Sequence, residues 1–375
     1  MVETSKRRIV STVALVTLLA PSLRAQGPFD EDALDTKIQE YLKRQAIPGA
    51  VVGIVDGEKL VYRKAFGLRD VAAGAPMTTD TSFQIGSMTK SMTAELMGIL
   101  RDEGLLGFDD PISTHWPKDV ELPPPLQRRT LRQLATHTAG LPRNVTNCRN
   151  VEDSPSVAMP YSVRELYEGL QRTELVELEG KSQYSNIGPA ILGHILERVS
   201  GVPYERLLRD RLLIPLGMSS TGIQPTHEQE QRVAVHYWKG DGDPPIERER
   251  WIFGEGAAHG GVFSCVDDLA RYVIYQYAGN AKIRMRSETL TELHTPVVRF
   301  EDSTGTWLGI GWFIYYKLPS ATIILHDGGV DGNSASIAFV KASRLGVIAF
   351  TNRGGDTAAD LAKTALRTAM RKPMP

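Results

Sequence analysis

The first part of the chain changes from a helical to a strand-like pattern of apolar positions. Apolar residues recur at three- and four-residue intervals from Asp30 to Ala46, which predicts an amphipathic helix. The next runs, AVVGIV (50–55) and KLVYRKAFG (59–67), are apolar or alternate with polar residues. Because Asp56-Gly57 between them is typical of a tight turn, we expect two strands joined at this turn.

The C-terminal segment repeats this combination of strands and a helix. Its apolar or alternating runs, each bounded by turn residues, are Trp307 to Tyr316, Ala321 to Leu325, Ser334 to Val340 and Leu345 to Thr351. Residues 357–371 then have a helical period. Predicted strands therefore lie at both ends of the chain.

The middle of the chain, from about Ser87 to about Leu293, has mostly helical periodicity. Polar loops interrupt it at ELPPPLQRRT (121–130), RNVTNCRNVEDSPS (143–156) and KGDGDPPIERER (239–250). We find no internal repeat. The pattern as a whole predicts an α+β protein.

Composition adds limits on size and partners. With 375 residues, 42% of them apolar, the chain can bury a large core in one or two domains. The net charge of -1 gives no acidic or basic bias toward nucleic acid. Beyond the N-terminus, no stretch approaches the roughly 20 apolar residues of a membrane helix.

The N-terminus has the order of a secretory signal peptide. Basic residues at positions 6–8 precede an apolar run at 9–20, and the small residue Ala25 ends SLRA. We expect residues 1–25 to be removed and the protein to be periplasmic or secreted. Because Leu23 is larger than ideal for a cleavage site, an uncleaved N-terminal anchor is the alternative.

The chain has two cysteines, Cys148 and Cys265, which excludes a disulfide framework and a cysteine-built zinc site. In an exported protein they could form one bridge. Two separate buried thiols are the alternative, because sequence does not supply the Cα separation that a disulfide requires.

The first candidate for chemistry is Ser87-Met88-Thr89-Lys90. Ser87 and Lys90 are three positions apart and therefore share one face of the predicted helix. In a partly desolvated pocket, the amine can take the hydroxyl proton or hold a neighbouring base in its charged form. A solvated helix start without a chemical role is the alternative, because such pairs also arise by chance.

Two later clusters favour the chemical interpretation, namely Tyr184-Ser185-Asn186 and His326-Asp327-Gly328-Gly329. In this order the chain resembles the serine β-lactamase and penicillin-binding protein family, on the branch of class C β-lactamases, DD-carboxypeptidases and esterases. Further segments that resemble this family are THTAGLP (136–142), YSNIGPAILGHILERVSG (184–201), PLGMSSTG (215–222) and GGVFSCVDDLARY (260–272). The resemblance extends from about residue 31 to the C-terminus.

The resemblance implies a β-lactamase/transpeptidase-like fold. Residues 26–86 and 294–375 would together form the α/β sheet domain, an antiparallel sheet flanked by N- and C-terminal helices. Residues 87–293 would form an inserted, mostly helical domain.

The resemblance also implies a role for each catalytic residue. Ser87 would be the nucleophile, and Lys90 and Tyr184 would transfer protons. The Ser87 amide, at a helix N-terminus, and the Gly329 amide, on an edge strand, would form the oxyanion hole.

Substrate binding would fall to Asn186, His326, Asp327 and Gly328. Asn186 would hydrogen-bond Lys90 and a substrate amide carbonyl, or else cap the following helix. His326 replaces the lysine that many relatives carry, and a histidine is charged only below about pH 6.5 unless its pKa is perturbed.

Asp327 would place a carboxylate beside the pocket and repel anionic substrates. Because penicillins carry a carboxylate, this expectation favours ester, neutral amide or amine-bearing substrates over penicillins. Asn352-Arg353 could restore a carboxylate contact.

Other kinds of site lack support in the sequence. His137 in THTAGLP and His259 in AAHGG are interpreted as structural. We find no metal-binding spacing, no nucleotide-binding loop and no GxSxG sequence of an α/β-hydrolase. We therefore expect neither a metal nor a cofactor.

The sequence thus predicts an exported serine hydrolase that forms an acyl-enzyme on Ser87. Its partner would be a small-molecule or peptide substrate: a β-lactam, a D-peptide or a small ester. The alternative is a penicillin-binding sensor that is acylated or occupied without turnover. Nothing in the sequence indicates the oligomeric state.

Overall fold

The computed structural model describes residues 29–144, 162–176, 181–238, 245–301, 303–318 and 321–370. The predicted signal peptide and Cys148 lie outside these ranges, so cleavage and the disulfide stay predictions. The strands are β1 Gly49–Asp56, β2 Lys59–Asp70, β3 Ala75–Pro76, β4 Phe83–Gln84, β5 His236–Trp238, β6 Ile246–Arg248, β7 Phe263–Ser264, β8 Val298–Arg299, β9 Thr306–Leu308, β10 Phe313–Leu318, β11 Ala321–Val330, β12 Asn333–Val340 and β13 Leu345–Thr351.

The helices of this part of the chain lie mostly between β4 and β8. They are α1 Glu31–Arg44, α2 Thr89–Asp102, α3 Ile112–His115, α4 Leu131–Ala135, α5 Val163–Gln171, α6 Ile187–Ser200, α7 Tyr204–Leu208, α8 Ile214–Leu216, α9 His227–Glu230, α10 Val266–Ala278, α11 Ser287–Leu293 and α12 Thr357–Ala369. A 3₁₀ turn at Gly86–Met88 leads into α2, and another lies at Ala257–His259.

Strands from the two ends of the chain form one nine-stranded sheet, in the order β3-β2-β1-β13-β12-β11-β10-β9-β8. Its named pairs are antiparallel, and β1 pairs with β13 from Ala50–Thr351 to Asp56–Leu345. The predicted fold, an antiparallel sheet of terminal segments combined with a mostly helical middle, is confirmed. The division into two domains stays a prediction.

The sheet has a buried layer on each face. Alternate residues of a strand point to opposite faces, so Val347 of β13 belongs to the core beneath α1 and α12. Its neighbour Ile348 belongs to the larger core that includes α2, α6 and α10. This larger core holds the helix that carries Ser87 and Lys90 against the sheet.

Two predicted strands differ from the observed ones. The run from Trp307 to Tyr316 is divided between β9 and β10, because Gly311, with φ +76°, turns the chain close to Ala94 of α2. Strand β11 continues past Leu325 to Val330. The sequence His326-Asp327-Gly328-Gly329 therefore lies within a strand.

Within the described ranges, none of the helices combines the length and the apolar composition that a transmembrane helix needs.

Candidate active site

Ser87 and Lys90 lie where the 3₁₀ turn passes into α2. The Lys90 amine donates hydrogen bonds to Ser87 Oγ at 2.9 Å and to the backbone oxygen of His259 at 2.8 Å. Burial, with a smaller contribution from the Arg143 charge, holds the pKa of Lys90 well below its usual range. The amine is thus positioned to act as a proton acceptor for the Ser87 hydroxyl.

Tyr184 lies against both residues. The Lys90 Nζ is 5.0 Å from the centroid of the Tyr184 ring. Burial raises the pKa of Tyr184 to about 12, while a polar interaction with the Ser87 hydroxyl and the charge of Arg143 act in the opposite direction. The phenol therefore holds its proton at neutral pH, and Lys90 is the group whose proton affinity is lowered.

Backbone contacts between two distant segments hold Tyr184 in place. Gln183 N–H donates to the His137 oxygen at 2.8 Å, and Ser185 N–H donates to His137 Nδ1 at 3.2 Å. The His137 ring packs on the Tyr184 ring with centroids 4.5 Å apart. The sequence did not indicate that THTAGLP supports Tyr184 in this way, although it did assign His137 a structural role.

Asn186 does not make the contact with Lys90 that the sequence predicts. Its Nδ2 donates to Asn144 Oδ1 at 3.0 Å, and no hydrogen bond joins it to Lys90 among the residues that the structure describes. It precedes α6, but its side chain does not cap the helix. The amide is at the edge of the site, beside Tyr184.

Glycines allow β11 to approach the 3₁₀ turn. A Cβ on Gly328 would lie 1.8 Å from the Ile85 oxygen, and one on Gly86 would lie 2.6 Å from Gly329 N. Gly86 also has φ +52°, a conformation that favours glycine. Backbone thus packs directly on backbone between Ser87 and β11.

The Gly329 amide faces the open side of β11. Val330 pairs with Asn333 across a two-residue turn, and Gly329 pairs with Ser334. The pair that flanks such a turn exchanges hydrogen bonds and the next pair does not, so the Gly329 N–H points away from β12. Although β11 is an inner strand, β10 pairs with it only as far as Leu325, which leaves this end unpaired on one side.

His326 is a neutral side chain. It is buried, and burial together with the Lys90 charge lowers its pKa to about 3. Its Nδ1 lies 2.7 Å from the Asp327 oxygen. A protonated Nδ1 donates there, which leaves Nε2 as an acceptor. His326 therefore supplies no positive charge at neutral pH.

The expectation that Asp327 lies beside the pocket is wrong. Ser336 donates to Asp327 Oδ1 at 2.6 Å, and the charges that act on Asp327 are those of α12 and the residue before it: Lys363, Asp356 and Asp360. Adjacent strand residues point to opposite faces, so the strand that turns His326 toward Lys90 turns Asp327 toward α12. Its carboxylate therefore lies on the face of the sheet opposite to His326.

Asn352 and Arg353 also have other roles than the one proposed for them. Asn352 is fully buried, accepts from Gly49 N–H at 2.7 Å and donates to the Leu68 oxygen at 3.0 Å. Arg353 donates to the Gln45 oxygen. Both side chains connect the chain ends rather than contact the residues around Ser87.

His259 has the structural role expected from the sequence. Its carbonyl accepts from Lys90, and its ring packs on Phe253 at a centroid distance of 5.0 Å. Burial holds the pKa of His259 well below its usual range. No group of three or more His, Cys, Asp or Glu that could hold a metal occurs in the described parts of the chain.

A separate cavity of about 910 Å³ is bounded by residues such as Gln84, Glu197, Trp251 and Glu255. Ser87, Lys90, Tyr184 and His326 do not line it. We assign the candidate chemistry to the Ser87 site because the hydrogen-bonded hydroxyl and amine are there.

Comparisons of sequence and structure find similar proteins over most of the chain. The sequence profile of the family described as Beta-lactamase matches residues 34–370. The D-alanyl-D-alanine-carboxypeptidase/endopeptidase AmpH of Escherichia coli (strain K12) is 26% identical over 368 residues, which cover 93% of this chain and 92% of that protein.

Beta-lactamase-like protein 4 of Dictyostelium discoideum is 28% identical over 340 residues, 84% of this chain, and the match spans 58% of that protein's length. Among solved structures, the octameric penicillin-binding protein homologue from Pyrococcus abyssi aligns with a TM-score of 0.81 and 26% identity. That alignment covers 92% of this chain and 78% of the other.

Proposed function

The chain belongs to the beta-lactamase family, and on that premise we propose that it is an exported serine hydrolase that forms and hydrolyses an acyl-enzyme on Ser87. The observation that carries the proposal is the hydrogen bond from buried Lys90 to Ser87, made beneath the Tyr184 ring. Export rests on the charged, apolar and small-residue order of residues 1–25.

In the first half of the reaction, Ser87 Oγ attacks the substrate carbonyl carbon and its proton passes to the Lys90–Tyr184 pair. The lowered pKa of Lys90 favours this transfer. The carbonyl oxygen becomes negative, and the amides of Ser87 and Gly329 are the donors proposed to stabilise it. The leaving group then departs with a proton from Tyr184.

In the second half, water takes the place of the leaving group. It gives a proton to Tyr184 and attacks the acyl carbon. The bond from that carbon to Ser87 Oγ then breaks, the acid leaves, and the proton held by the Lys90–Tyr184 pair passes to Ser87 Oγ. No metal or cofactor enters either step.

For the substrate, a D-amino-acid peptide or a β-lactam is the first choice. The similarity to AmpH over nearly the whole chain supports it. The sequence argument that Asp327 repels anionic substrates no longer applies, because its carboxylate lies on the α12 side of the sheet. The other sequence argument, the lack of a lysine charge at position 326, still counts against them, since His326 is neutral. Small esters remain the second class.

A substrate panel tests the proposal. We expect the wild type to hydrolyse at least one of nitrocefin, a D-alanyl-D-alanine peptide and p-nitrophenyl butyrate, and Ser87→Ala to lose at least about a thousandfold in kcat/KM. Ser91→Ala is the matched control one helical turn further, since the Ser91 hydroxyl donates to the Met88 oxygen and accepts from the Tyr272 hydroxyl but does not bond Lys90.

Retention of activity by folded Ser87→Ala would contradict the assignment of the nucleophile. A lasting adduct without turnover would instead support the sensor. Hydrolysis of p-nitrophenyl butyrate alone would indicate that the protein is an esterase.

A further inference from the structure

Arg143 lies at the edge of the site and has no use in the mechanism above. Its guanidinium carbon is 5.2 Å from the centroid of the Tyr184 ring. The side chain is exposed. Within the described ranges no carboxylate forms an ion pair with it, although exposed arginines elsewhere in the chain, such as Arg63 and Arg286, have such partners.

The backbone of Arg143 is fixed relative to the catalytic residues. Asn186 N–H donates to the Arg143 oxygen at 2.8 Å, and Ser185 Oγ donates to the Pro142 oxygen at 2.7 Å. Both donors follow Tyr184 directly in the chain. The cation is therefore built into the same side of the site as the phenol.

The other basic groups around Ser87 are poor anion-binding groups. Lys90 is buried and bonded to Ser87 and His259, and burial lowers its pKa. Burial also lowers the pKa values of His137 and His326, so both are neutral at pH 7. A guanidinium, in contrast, is charged at every working pH and has a fork of donors that matches a carboxylate.

We propose that Arg143 is a specificity-determining residue that binds a carboxylate on the leaving-group side of the substrate. The leaving-group side follows from its neighbour, because Tyr184 is the group assigned to protonate the departing atom and the guanidinium lies over its ring. This assignment rests on the proposed hydrolase function. It places the anion-binding group on the helical wall of the site and not on the β11 wall, where His326 is neutral.

Two esters that differ in one charge test the assignment. They are 3-carboxyphenyl phenylacetate, whose leaving group carries a carboxylate, and 3-carbamoylphenyl phenylacetate, whose leaving group is neutral and of similar shape. Both release a phenol that absorbance can follow. The readout is the ratio of kcat/KM for the acid to kcat/KM for the amide, which cancels general damage to the enzyme.

For Arg143→Gln we expect this ratio to fall about tenfold, mainly through KM for the acid. Arg143→Lys should retain part of the ratio because it keeps the charge without the fork. Added salt should lower the wild-type ratio toward that of Arg143→Gln. The matched control is Arg44→Gln, since Arg44 is an exposed arginine 5.5 Å from the Tyr41 ring in α1, and its ratio should equal the wild-type value.

An equal loss on both esters would overturn the assignment and show that Arg143 supports Tyr184 instead. An unchanged ratio would also overturn it. Absence of Ser87-dependent hydrolysis of both esters and of all three panel substrates would overturn the proposed function itself, and the role of Arg143 with it.

Discussion

At the scale of single residues, Gly328 lies where β11 and the 3₁₀ turn come closest. A methyl group there would lie 1.8 Å from the Ile85 oxygen and 2.9 Å from Met88 N. Both neighbours are backbone atoms within two residues of Ser87, so neither can move without displacing Ser87. The next residue, Gly329, has more room, because its nearest neighbour would be the Asn333 oxygen at 3.5 Å.

We therefore expect Gly328→Ala to lower the free energy of unfolding by more than about 2 kcal/mol and to abolish most activity. Gly329→Ala, the adjacent control, should unfold within a few degrees of the wild-type temperature. Thermal denaturation followed by circular dichroism measures both. Equal melting temperatures for the two variants would contradict the close packing described for Gly328.

Single residues also show what the sequence can and cannot predict. The spacing of Ser87 and Lys90 predicts a shared helix face, and the Lys90–Ser87 hydrogen bond joins them. The role of Asp327 was mispredicted, since its face depends on the alternation within β11. The predicted strand ends at Leu325, so the sequence did not show that the alternation of β11 extends through Asp327.

At the scale of elements, α2 is buried on almost every side, and one of its buried side chains, that of Glu95, carries a carboxyl group. Glu95 is fully buried. Its oxygens have no hydrogen-bond partner of good geometry among the described residues. Burial raises the pKa of Glu95 to about 8, while polar groups of Tyr275 and Gln276 act in the opposite direction. Folding therefore favours the protonated acid.

Because the folded-state pKa is higher than the ordinary value of 4.5, the wild type should lose stability as pH rises from about 4.5 to about 8. Glu95→Gln removes this loss. We expect the variant and the wild type to be similar near pH 4.5 and the variant to be more stable by up to about 4 kcal/mol at pH 8. Denaturant unfolding at a series of pH values measures the difference.

The exposed Glu288 at the start of α11 provides the control, since Glu288→Gln should leave the pH profile of the wild type unchanged. A constant difference between Glu95→Gln and the wild type at every pH would contradict a protonated buried carboxyl. The sequence does not identify this residue, because a single Glu in a helix is usually solvent-exposed.

At the scale of the whole molecule, the site forms where the helical middle of the chain meets the sheet. The helical part supplies Ser87, Lys90, Tyr184 and Arg143, and β11 supplies the opposite wall. The apolar pattern predicts the strands at both ends because each has its own periodicity. It does not predict the contacts between residues 137–143 and 183–186, because two of them are backbone hydrogen bonds and the others join a side chain to backbone far away in the chain.

The central claim is that these segments meet so that Ser87 becomes acylated and the acyl group is then removed by hydrolysis. Intact-mass spectrometry, within milliseconds to seconds of mixing the protein with benzylpenicillin or p-nitrophenyl butyrate, tests it most directly. We expect a mass increase equal to the bound acyl group for at least one compound, located by peptide mapping to Ser87, which decays as the substrate is consumed. Turnover without an adduct on Ser87, or an adduct on another residue, would contradict the account.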